Sequence, residues 1–311
     1  MTAATPAPAT DRRLGAHTWA LIGDGGGRYP SGNSVLVRGN ERTVLIDPSV
    51  SVSAAGGAIV DGVAQRVDQI LLTHVHEDHV AGVHLFPDAA IAVHGADLLG
   101  IRSLDGLMEM YDMPADAASG FRTTIVEDFS YVGRPDATAF ADGDVVDLGG
   151  VTIRVLHLPG HTRGHSALCI EPDGVVVLGD IDLTGFGPYY GDAWSDLDAF
   201  VVSLRRAREI DARWYVTFHQ KGVVEGRAEY LPLLDAFAAV IDDREERMVA
   251  ALAASPMTLD ELVAHRFVYR PHVQLSFIEG VERRSAAMSL RRLVAAGRVR
   301  EVAPGTWAAV S

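Results

Sequence analysis

Short apolar segments that end in histidine or aspartate recur between residues 34 and 219, and they limit the possible folds of this chain. Val and Ile dominate these segments, as is typical of strands buried inside a layered sheet. Candidate helices separate them, and the clearest, over 195–210, has Leu197 and Phe200 at helical spacing. Ser195, with Asp198 three residues later, resembles a capping box at its start. The apolar segments are SVLVRG (34–39), TVLIDP (43–48), VDQILLT (67–73), AIAVHG (90–95), VTIRVLHLPG (151–160), VVVLGD (175–180) and WYVTFH (214–219). This alternation predicts a layered α/β fold.

The segment THVHEDH, residues 73–79, directly follows one of these strands. In an extended segment His74 and His76 point the same way, so one metal ion can take both imidazoles. Asp78 and His79 then turn toward a second position. Neutral histidine and ionised carboxylate are ligands that suit Zn²⁺, Mn²⁺ or Fe²⁺. The segment therefore predicts part of a metal site.

Two ligands are too few for a metal ion, so further ligands are expected at other strand ends. His161 lies in a glycine-flanked turn after one strand, Asp180 ends another, and His219 ends a third. Two neighbouring residues have two interpretations each. His165 either supports the site by a hydrogen bond or is an ordinary turn histidine, and Asp47 either orients a ligand histidine or begins a turn before proline.

At these residues the chain resembles the metallo-β-lactamase superfamily, whose motif series it matches in order over residues 15–222. The resemblance implies an αββα sandwich with a site for two metal ions at one edge, between two sheets. It also implies three histidines on the first metal, an aspartate and two histidines on the second, and one bridging aspartate. In this sequence those residues are His74, His76 and His161, then Asp78, His79 and His219, with Asp180 as the bridge.

The aspartate at position 180 narrows the resemblance to certain branches. The zinc β-lactamase branch that has a cysteine there does not fit, because Cys169 lies elsewhere. The set is similar to that of glyoxalase II-like thioesterases, lactonases and nucleases. We therefore expect a hydrolase with two divalent ions, Zn²⁺ first and Mn²⁺ or Fe²⁺ as alternatives, that acts on a thioester, lactone or other ester. The resemblance implies attack by a hydroxide that bridges the metals, with Asp78 and Asp180 orienting the water and carrying its proton.

A loop rich in glycine and proline follows Asp180 and contains two adjacent tyrosines, Tyr189 and Tyr190. A phenol at this place either stabilises an oxyanion, lines the substrate pocket or packs within the loop. Tyr190 is the candidate catalytic residue of the pair.

The last part of the chain changes character, and we predict a catalytic domain over 11–237 and a second domain over 238–311. A long helix over 228–253 is followed by one that begins at Thr258 and by a third over about 279–296. RVREV and TWAAV, joined by Pro-Gly, then predict a β-hairpin. This order resembles a winged-helix module, which is appended to certain β-lactamase-like hydrolases.

The net charge of −14 disfavours nucleic acid as a partner, because an acidic protein repels polyanions. From Arg244 onward, however, there are ten arginines and seven acidic residues. A ribonuclease or phosphodiesterase is therefore the alternative function. The arginines of the third helix would either bind phosphates or form ion pairs with nearby acidic residues. These arginines are Arg283, Arg284, Arg291 and Arg292. Two further alternatives are an iron-dependent persulfide dioxygenase and a regulator whose last domain binds DNA.

We expect a cytoplasmic protein with a small-molecule substrate and no membrane partner. The first thirteen residues lack the pattern of a signal peptide and predict a flexible tail. No apolar run approaches the roughly 18–20 residues that span a bilayer. A homodimer is possible, because dimers are the commonest assembly.

Overall fold

Two β-sheets pack face to face, with helices on their outer sides, in the computed structural model, which describes residues 10–274 and 277–310. One apolar core lies between the sheets, a second between the first sheet and its helices, and a third between the second sheet and its helices. The layers are therefore helix, sheet, sheet, helix, and the predicted αββα sandwich is confirmed.

The first sheet has, within the described residues, seven strands in the order β1-β2-β3-β4-β7-β8-β9. Neighbours from β1 to β4 are antiparallel, whereas β4, β7, β8 and β9 run parallel. The strands are β1 (Thr10–Arg13), β2 (Thr18–Ile22), β3 (Ser34–Arg38), β4 (Thr43–Ile46), β7 (Gln69–Leu71), β8 (Ala90–His94) and β9 (Thr138–Phe140); β5 (Ile59–Val60) and β6 (Val63–Ala64) form a separate hairpin.

The second sheet has the order β10-β11-β12-β13-β14-β15 among the described residues. Only its β13 and β14 run parallel; its other described neighbours are antiparallel. The strands are β10 (Val145–Asp147), β11 (Thr152–His157), β12 (Ser166–Glu171), β13 (Val175–Val177), β14 (Trp214–Val216) and β15 (Val223–Glu225).

The alternation of side chains along β3 shows why the apolar strands give a layered fold. Val35 and Val37 pack in the core between the sheets, whereas Leu36 packs in the core under the outer helices. Successive side chains of a strand point to opposite faces, so a strand buried on both faces is apolar throughout. Burying each such side chain contributes about 1.5–3 kcal/mol.

The helices cover both outer faces. Helix α6 is capped by Asp196, whose side chain accepts the N–H of Ala199 at 2.9 Å, so the predicted capping box at Ser195 is wrong. The Ser195 hydroxyl instead donates to the carbonyl of His161 at 2.7 Å. The helices are α1 (Asp24–Gly27), α2 (Val50–Ala55), α3 (Leu98–Arg102), α4 (Leu104–Tyr111), α5 (Ala115–Glu127), α6 (Leu197–Arg208), α7 (Arg227–Ala254), α8 (Leu259–Ala264) and α9 (Ile278–Ala295).

The C-terminal elements form a fourth core with the end of α7. The capping box of α8 is present, with Thr258 and Glu261 bonding each other's backbone. A three-stranded sheet completes the unit in the order β16-β18-β17: β16 (Met257–Thr258), β17 (Val299–Ala303) and β18 (Thr306–Ala309). The helices and the hairpin lie where the sequence predicts them, while the winged-helix assignment stays a prediction.

Helix α7 joins the two parts of the chain. Leu234 and Phe237, near its start, pack in the core of the second sheet, and Met248 and Leu252, near its end, pack in the C-terminal core. The predicted boundary at 237/238 falls inside this continuous helix. The division into two domains stays a prediction.

The N-terminal segment differs from the expected tail where it is described. Thr10–Arg13 form strand β1, which pairs with β2 and extends the first sheet. Residues 1–9, the rest of the predicted tail, lie outside the described residues. Across 10–274 and 277–310, no helix combines the length and the hydropathy needed to cross a membrane.

Candidate metal centre

Loops after four strands bring the predicted ligands together. Residues 73–79 follow β7, His161 follows β11, Asp180 follows β13 and His219 follows β14. The side chains form overlapping groups whose nitrogen and oxygen atoms lie within 4.8 Å of one another. All seven predicted ligands belong to these groups, together with Asp182, which was not among the predicted ligands.

Three imidazoles form the first group. The Nε2 atom of His74 lies 3.1 Å from Nδ1 of His76, and Nε2 of His161 lies 3.1 Å from each of these atoms. Two nitrogens bound to one tetrahedral zinc ion at about 2.0–2.1 Å would lie about 3.3 Å apart. The spacing of the three nitrogens therefore fits a single divalent ion.

The opposite ring nitrogens of these histidines each lie near an oxygen atom. The Nδ1–H of His161 donates to the carbonyl of Tyr189 at 3.0 Å, and Nδ1 of His74 lies 3.2 Å from the hydroxyl of Thr73. Nε2 of His76 lies 3.1 Å from Oδ2 of Asp192, although not in line for a hydrogen bond. With the proton on the outer nitrogen, three lone pairs converge and cannot satisfy one another, whereas a cation satisfies all three.

The second group contains Asp78, His79 and His219. Nε2 of His219 lies 3.1 Å from Oδ2 of Asp78, and Nδ1 of His219 donates to the carbonyl of Gly27 at 2.9 Å. Nδ1 of His79 lies 3.0 Å from Oδ2 of Asp47. Each histidine thus has one ring nitrogen fixed by an oxygen and the other directed at the group, as in known metal sites.

Asp180 lies between the two groups. Its Oδ1 is 3.0 Å from Nε2 of His79, and its Oδ2 is 3.1 Å from Nε2 of His161. Burial raises the pKa of Asp180, but the neighbouring histidines outweigh burial and hold it well below its usual range. A carboxylate that stays ionised between two sets of imidazoles has the position of a bridge between two cations.

His165 holds the backbone of Asp180 in place. Its Nε2 accepts the Asp180 N–H at 3.1 Å, and its Nδ1–H donates to the carbonyl of Leu158 at 3.0 Å. Burial lowers the pKa of His165 to about 3, so the ring stays neutral and can accept. Gly179, at φ 55°, is needed here because a Cβ would lie 2.6 Å from Nε2 of His165.

Asp182 is the member of the cluster that sequence reasoning missed. Its Oδ1 accepts the backbone N–H of His219 at 2.9 Å, and it groups with Asp180 and His219. Burial, and then the charge of Asp180, raise the pKa of Asp182 to about 8. The signal was present, since Asp182 follows the same strand end only two residues after Asp180.

A cavity of about 300 Å³ opens over the two groups, and aromatic side chains dominate its apolar wall. Glu77 lies in this wall and accepts a hydrogen bond from Tyr29 at 3.0 Å and another from Tyr111. Residues after α7 also contribute to the wall, so the C-terminal part completes the cavity. The apolar wall contains Tyr29, Tyr111, Met113, Phe121, Phe186, Tyr189, Tyr269 and Phe277.

Comparison with known proteins fits this arrangement. A family model described as the metallo-beta-lactamase superfamily matches residues 28–219, more than half of the chain. The chain belongs to the metallo-beta-lactamase superfamily. The matched range includes all seven predicted ligands.

Relatives in this superfamily carry hydrolase names. The chain is 28% identical over 208 residues to the acyl-coenzyme A thioesterase MBLAC2 of Gallus gallus, covering 60% of this chain and 72% of that protein. It spans 61% of the Homo sapiens protein of the same name. It is 31% identical over 238 residues to the hydroxyacylglutathione hydrolase of Acidiphilium cryptum, covering 75% of this chain and 84% of that protein. These names and the family match support an enzyme.

Solved structures of the superfamily share the fold over nearly the whole chain. A metallo-beta-lactamase family protein of Thermus thermophilus superposes with a TM-score of 0.66 at 23% identity, covering 98% of this chain and 97% of that one. A beta-lactamase domain protein of Burkholderia ambifaria gives a TM-score of 0.69 at 22% identity, covering 99% and 96%. The likeness therefore extends through the C-terminal elements.

The two adjacent tyrosines have different places in this superfamily fold. Tyr189 lines the cavity, and its hydroxyl donates to Asp192 at 3.0 Å. Tyr190 lies in the core of the second sheet, 2% exposed, and its hydroxyl has no hydrogen-bond partner among the described residues. Tyr190 lies in that core and is not among the residues that line the cavity, so this placement disfavours the catalytic role expected for it, which stays a prediction.

The arginines of α9 mostly pair with acids. Arg283 forms an ion pair with Asp260 at 2.7 Å, and Arg292 bonds Glu245 at 2.8 Å. Arg284 lies 3.6 Å from an Asp112 carboxylate oxygen. These contacts favour the interpretation that the arginines of α9 pair with acidic residues over the interpretation that they bind phosphates. Arg291 is exposed.

Proposed function

We propose that this protein is a hydrolase that uses two divalent metal ions to cleave a small acyl substrate, a thioester in the first place and a lactone or other ester as alternatives. The observation that carries the proposal is Asp180, whose two oxygens face histidines of both donor groups at 3.0 and 3.1 Å. Relatives named as thioesterases and as hydroxyacylglutathione hydrolases support the thioester.

The donor set assigns the ligands of this proposal. His74, His76 and His161 would hold the first ion, and Asp78, His79 and His219 the second, with Asp180 between them. Nitrogen and carboxylate donors suit Zn²⁺ first and allow Mn²⁺ or Fe²⁺. Asp182 lies close enough to Asp180 and His219 to join the second set.

Two bound cations would supply an attacking water of lowered pKa and would polarise the carbonyl of the substrate. Burial raises the pKa values of Asp78 and Asp180, but the neighbouring histidines outweigh burial and lower both values. These are the carboxylates whose Oδ atoms would accept hydrogen bonds from this water and so orient it. The aromatic wall would hold the acyl group and exclude bulk water, which strengthens the electrostatic interactions in the cavity. Tyr189, anchored by Asp192 at 3.0 Å, is the phenol that faces this space.

The cavity also carries five acidic groups, which disfavour a nucleic-acid substrate. They are Glu77, Asp78, Asp180, Asp182 and Asp192. No contact of the described arginines of α9 favours the ribonuclease alternative, and the intact second donor set disfavours a one-metal dioxygenase. The expected homodimer and the DNA-binding regulator find no support in the comparisons.

A panel of thioesters, lactones and β-lactams tests the proposal. Zinc-reconstituted protein is assayed with a pH indicator for acid release, and the Asp180→Asn variant is the blank. We expect turnover of thioesters that falls about 1,000-fold or more in the variant, because the bridging charge is lost. If no substrate of the panel releases acid, or if the variant is fully active, the proposal is contradicted.

A further inference from the structure

A second cavity, of about 680 Å³, lies beside the catalytic cavity and is strongly basic. Its wall comes from the loop before α6, from α7 and from residues 266–273 of the C-terminal part. No acidic residue contributes to this wall within the described part of the chain. The charged residues of the wall are Arg244, Arg247, Arg266 and Arg270.

These arginines carry charges that the protein does not neutralise locally. None has a carboxylate within 4.0 Å among the described residues, whereas three arginines of α9 do. Arg244, 2% exposed, donates to the carbonyls of Pro188 at 2.6 Å and Phe186 at 2.7 Å. Arg247 and Arg266 likewise donate to backbone carbonyls. A carbonyl orients a guanidinium without cancelling its charge, so the wall can accept an anion.

The loop that carries two of these arginines is held in place by Glu282. This buried carboxylate accepts the N–H groups of Phe267 at 2.9 Å, Val268 at 3.1 Å and Tyr269 at 2.7 Å. The bonds fix the backbone between Arg266 and Arg270. The backbone that carries Arg266 and Arg270 is therefore preorganised, which lowers the entropic cost of binding.

The two cavities share a boundary. Phe186 and Tyr269 line both of them, with ring centroids 5.5 Å apart, so a molecule that occupies both cavities would lie across these two rings. The catalytic side is apolar and acidic, and the other side is basic. This arrangement fits a substrate with an acyl end and a phosphate-bearing end.

We infer that the arginine cavity binds the phosphate groups of the thiol half of the substrate, which makes the substrate an acyl-coenzyme A. The inference rests on the proposed thioester hydrolysis. Guanidinium groups bind phosphate by paired, charge-assisted hydrogen bonds, and the exposed Arg247 and Arg270 with the half-buried Arg266 match several phosphates on one small molecule. Arg247 and Arg270, which are exposed, are the residues to test, since Arg244 is buried and donates to two carbonyls of the loop.

Binding of adenosine 3′-phosphate 5′-diphosphate, which has no thiol and no acyl group, tests the site without turnover. Calorimetry with zinc-loaded protein is expected to show binding that weakens as salt rises and that falls about tenfold or more in Arg247→Gln/Arg270→Gln. Arg300→Gln, an exposed arginine on β17, is the matched control and should bind like the wild type. Absent binding, or binding unchanged in the double variant, would overturn the inference.

Kinetics separate this inference from the proposed function. For octanoyl-coenzyme A the double variant should raise KM about tenfold with little change in kcat, while octanoyl-N-acetylcysteamine, which lacks phosphate, should be unaffected. If both thioesters are cleaved and neither depends on the arginines, the phosphate site is wrong and the proposed function stands. If neither is cleaved but the nucleotide binds through the arginines, the proposed function fails and the anion site stands. Preference for an octanoyl carrier protein over octanoyl-coenzyme A would overturn the choice of substrate.

Discussion

The Oδ2 atom of Asp47 lies 3.0 Å from Nδ1 of His79, while Oδ1 accepts the N–H of Thr73 at 2.8 Å. Asp47 thus connects the start of the histidine segment to one of its proposed ligands. Burial lowers the pKa of His79, but Asp47 and Asp180 outweigh it and raise the pKa to about 10. Asp47 fixes the ring with Nε2 directed at Asp180.

Asp47→Asn is therefore expected to weaken zinc binding by about 10–100-fold, the usual effect of losing an outer partner of a ligand histidine. Competition with a chromophoric chelator measures the affinity of the weaker-bound ion. The exposed Asp88→Asn is the control and should leave the affinity unchanged. An affinity that is equally unchanged in Asp47→Asn would show that Asp47 only begins the turn before Pro48.

Tyr190→Phe removes a buried hydroxyl that has no hydrogen-bond partner among the described residues. Since an unpaired buried hydroxyl costs about 1–3 kcal/mol, we expect the variant to be as stable as the wild type or up to about 1 kcal/mol more stable in urea unfolding, with full activity. Tyr189→Phe, by contrast, loses its bond to Asp192 and should lower kcat/KM. A folded but inactive Tyr190→Phe would restore the catalytic role that the sequence suggested.

Arg244→Met is expected to destabilise the protein by about 2–4 kcal/mol, because it leaves the carbonyls of Phe186 and Pro188 without their charged donor. The same loop supplies Tyr189, whose carbonyl accepts from His161. The free energy of unfolding and the zinc affinity of the folded variant should therefore both fall. Arg205→Met, at an exposed position of α6, is the control, and equal effects in the two variants would contradict this account.

The seven donors could be predicted from the sequence, because each stands in a segment that directly follows an apolar strand. Partners from distant segments could not be predicted in this way. Asp192 reaches His76 only because its loop folds back over the site, and Tyr29 and Tyr111 meet at Glu77 from separate elements. Their contacts depend on tertiary packing, which leaves no local pattern.

The sequence likewise could not predict which arginines pair with acids and which do not. The charge count drew attention to the arginines of α9, and the structure pairs three of them with acids. Arg247 and Arg270, by contrast, are 23 positions apart in sequence and face one cavity. Charge counting located a basic region correctly, but only the fold distinguishes paired arginines from unpaired ones.

Cys169 is expected to react slowly with alkylating reagents. Burial raises the pKa of its thiol from 9.0 to about 11, and the thiolate is the reactive form. The labelling rate with iodoacetamide should rise about tenfold per pH unit through pH 9 without levelling off. The same protein in urea is the control and should level off near its ordinary pKa; a plateau near pH 9 in the folded protein would contradict the shift.

Zinc titration of metal-free protein during thioester hydrolysis measures how many metal ions the reaction needs. Thiol release from octanoyl-coenzyme A is recorded as zinc is added in known equivalents, with Asp180→Asn treated in parallel. We expect activity to rise until two equivalents are bound and the variant to stay nearly inactive throughout. Full activity at one equivalent, or activity that survives without metal, would contradict a site in which Asp180 joins two cations.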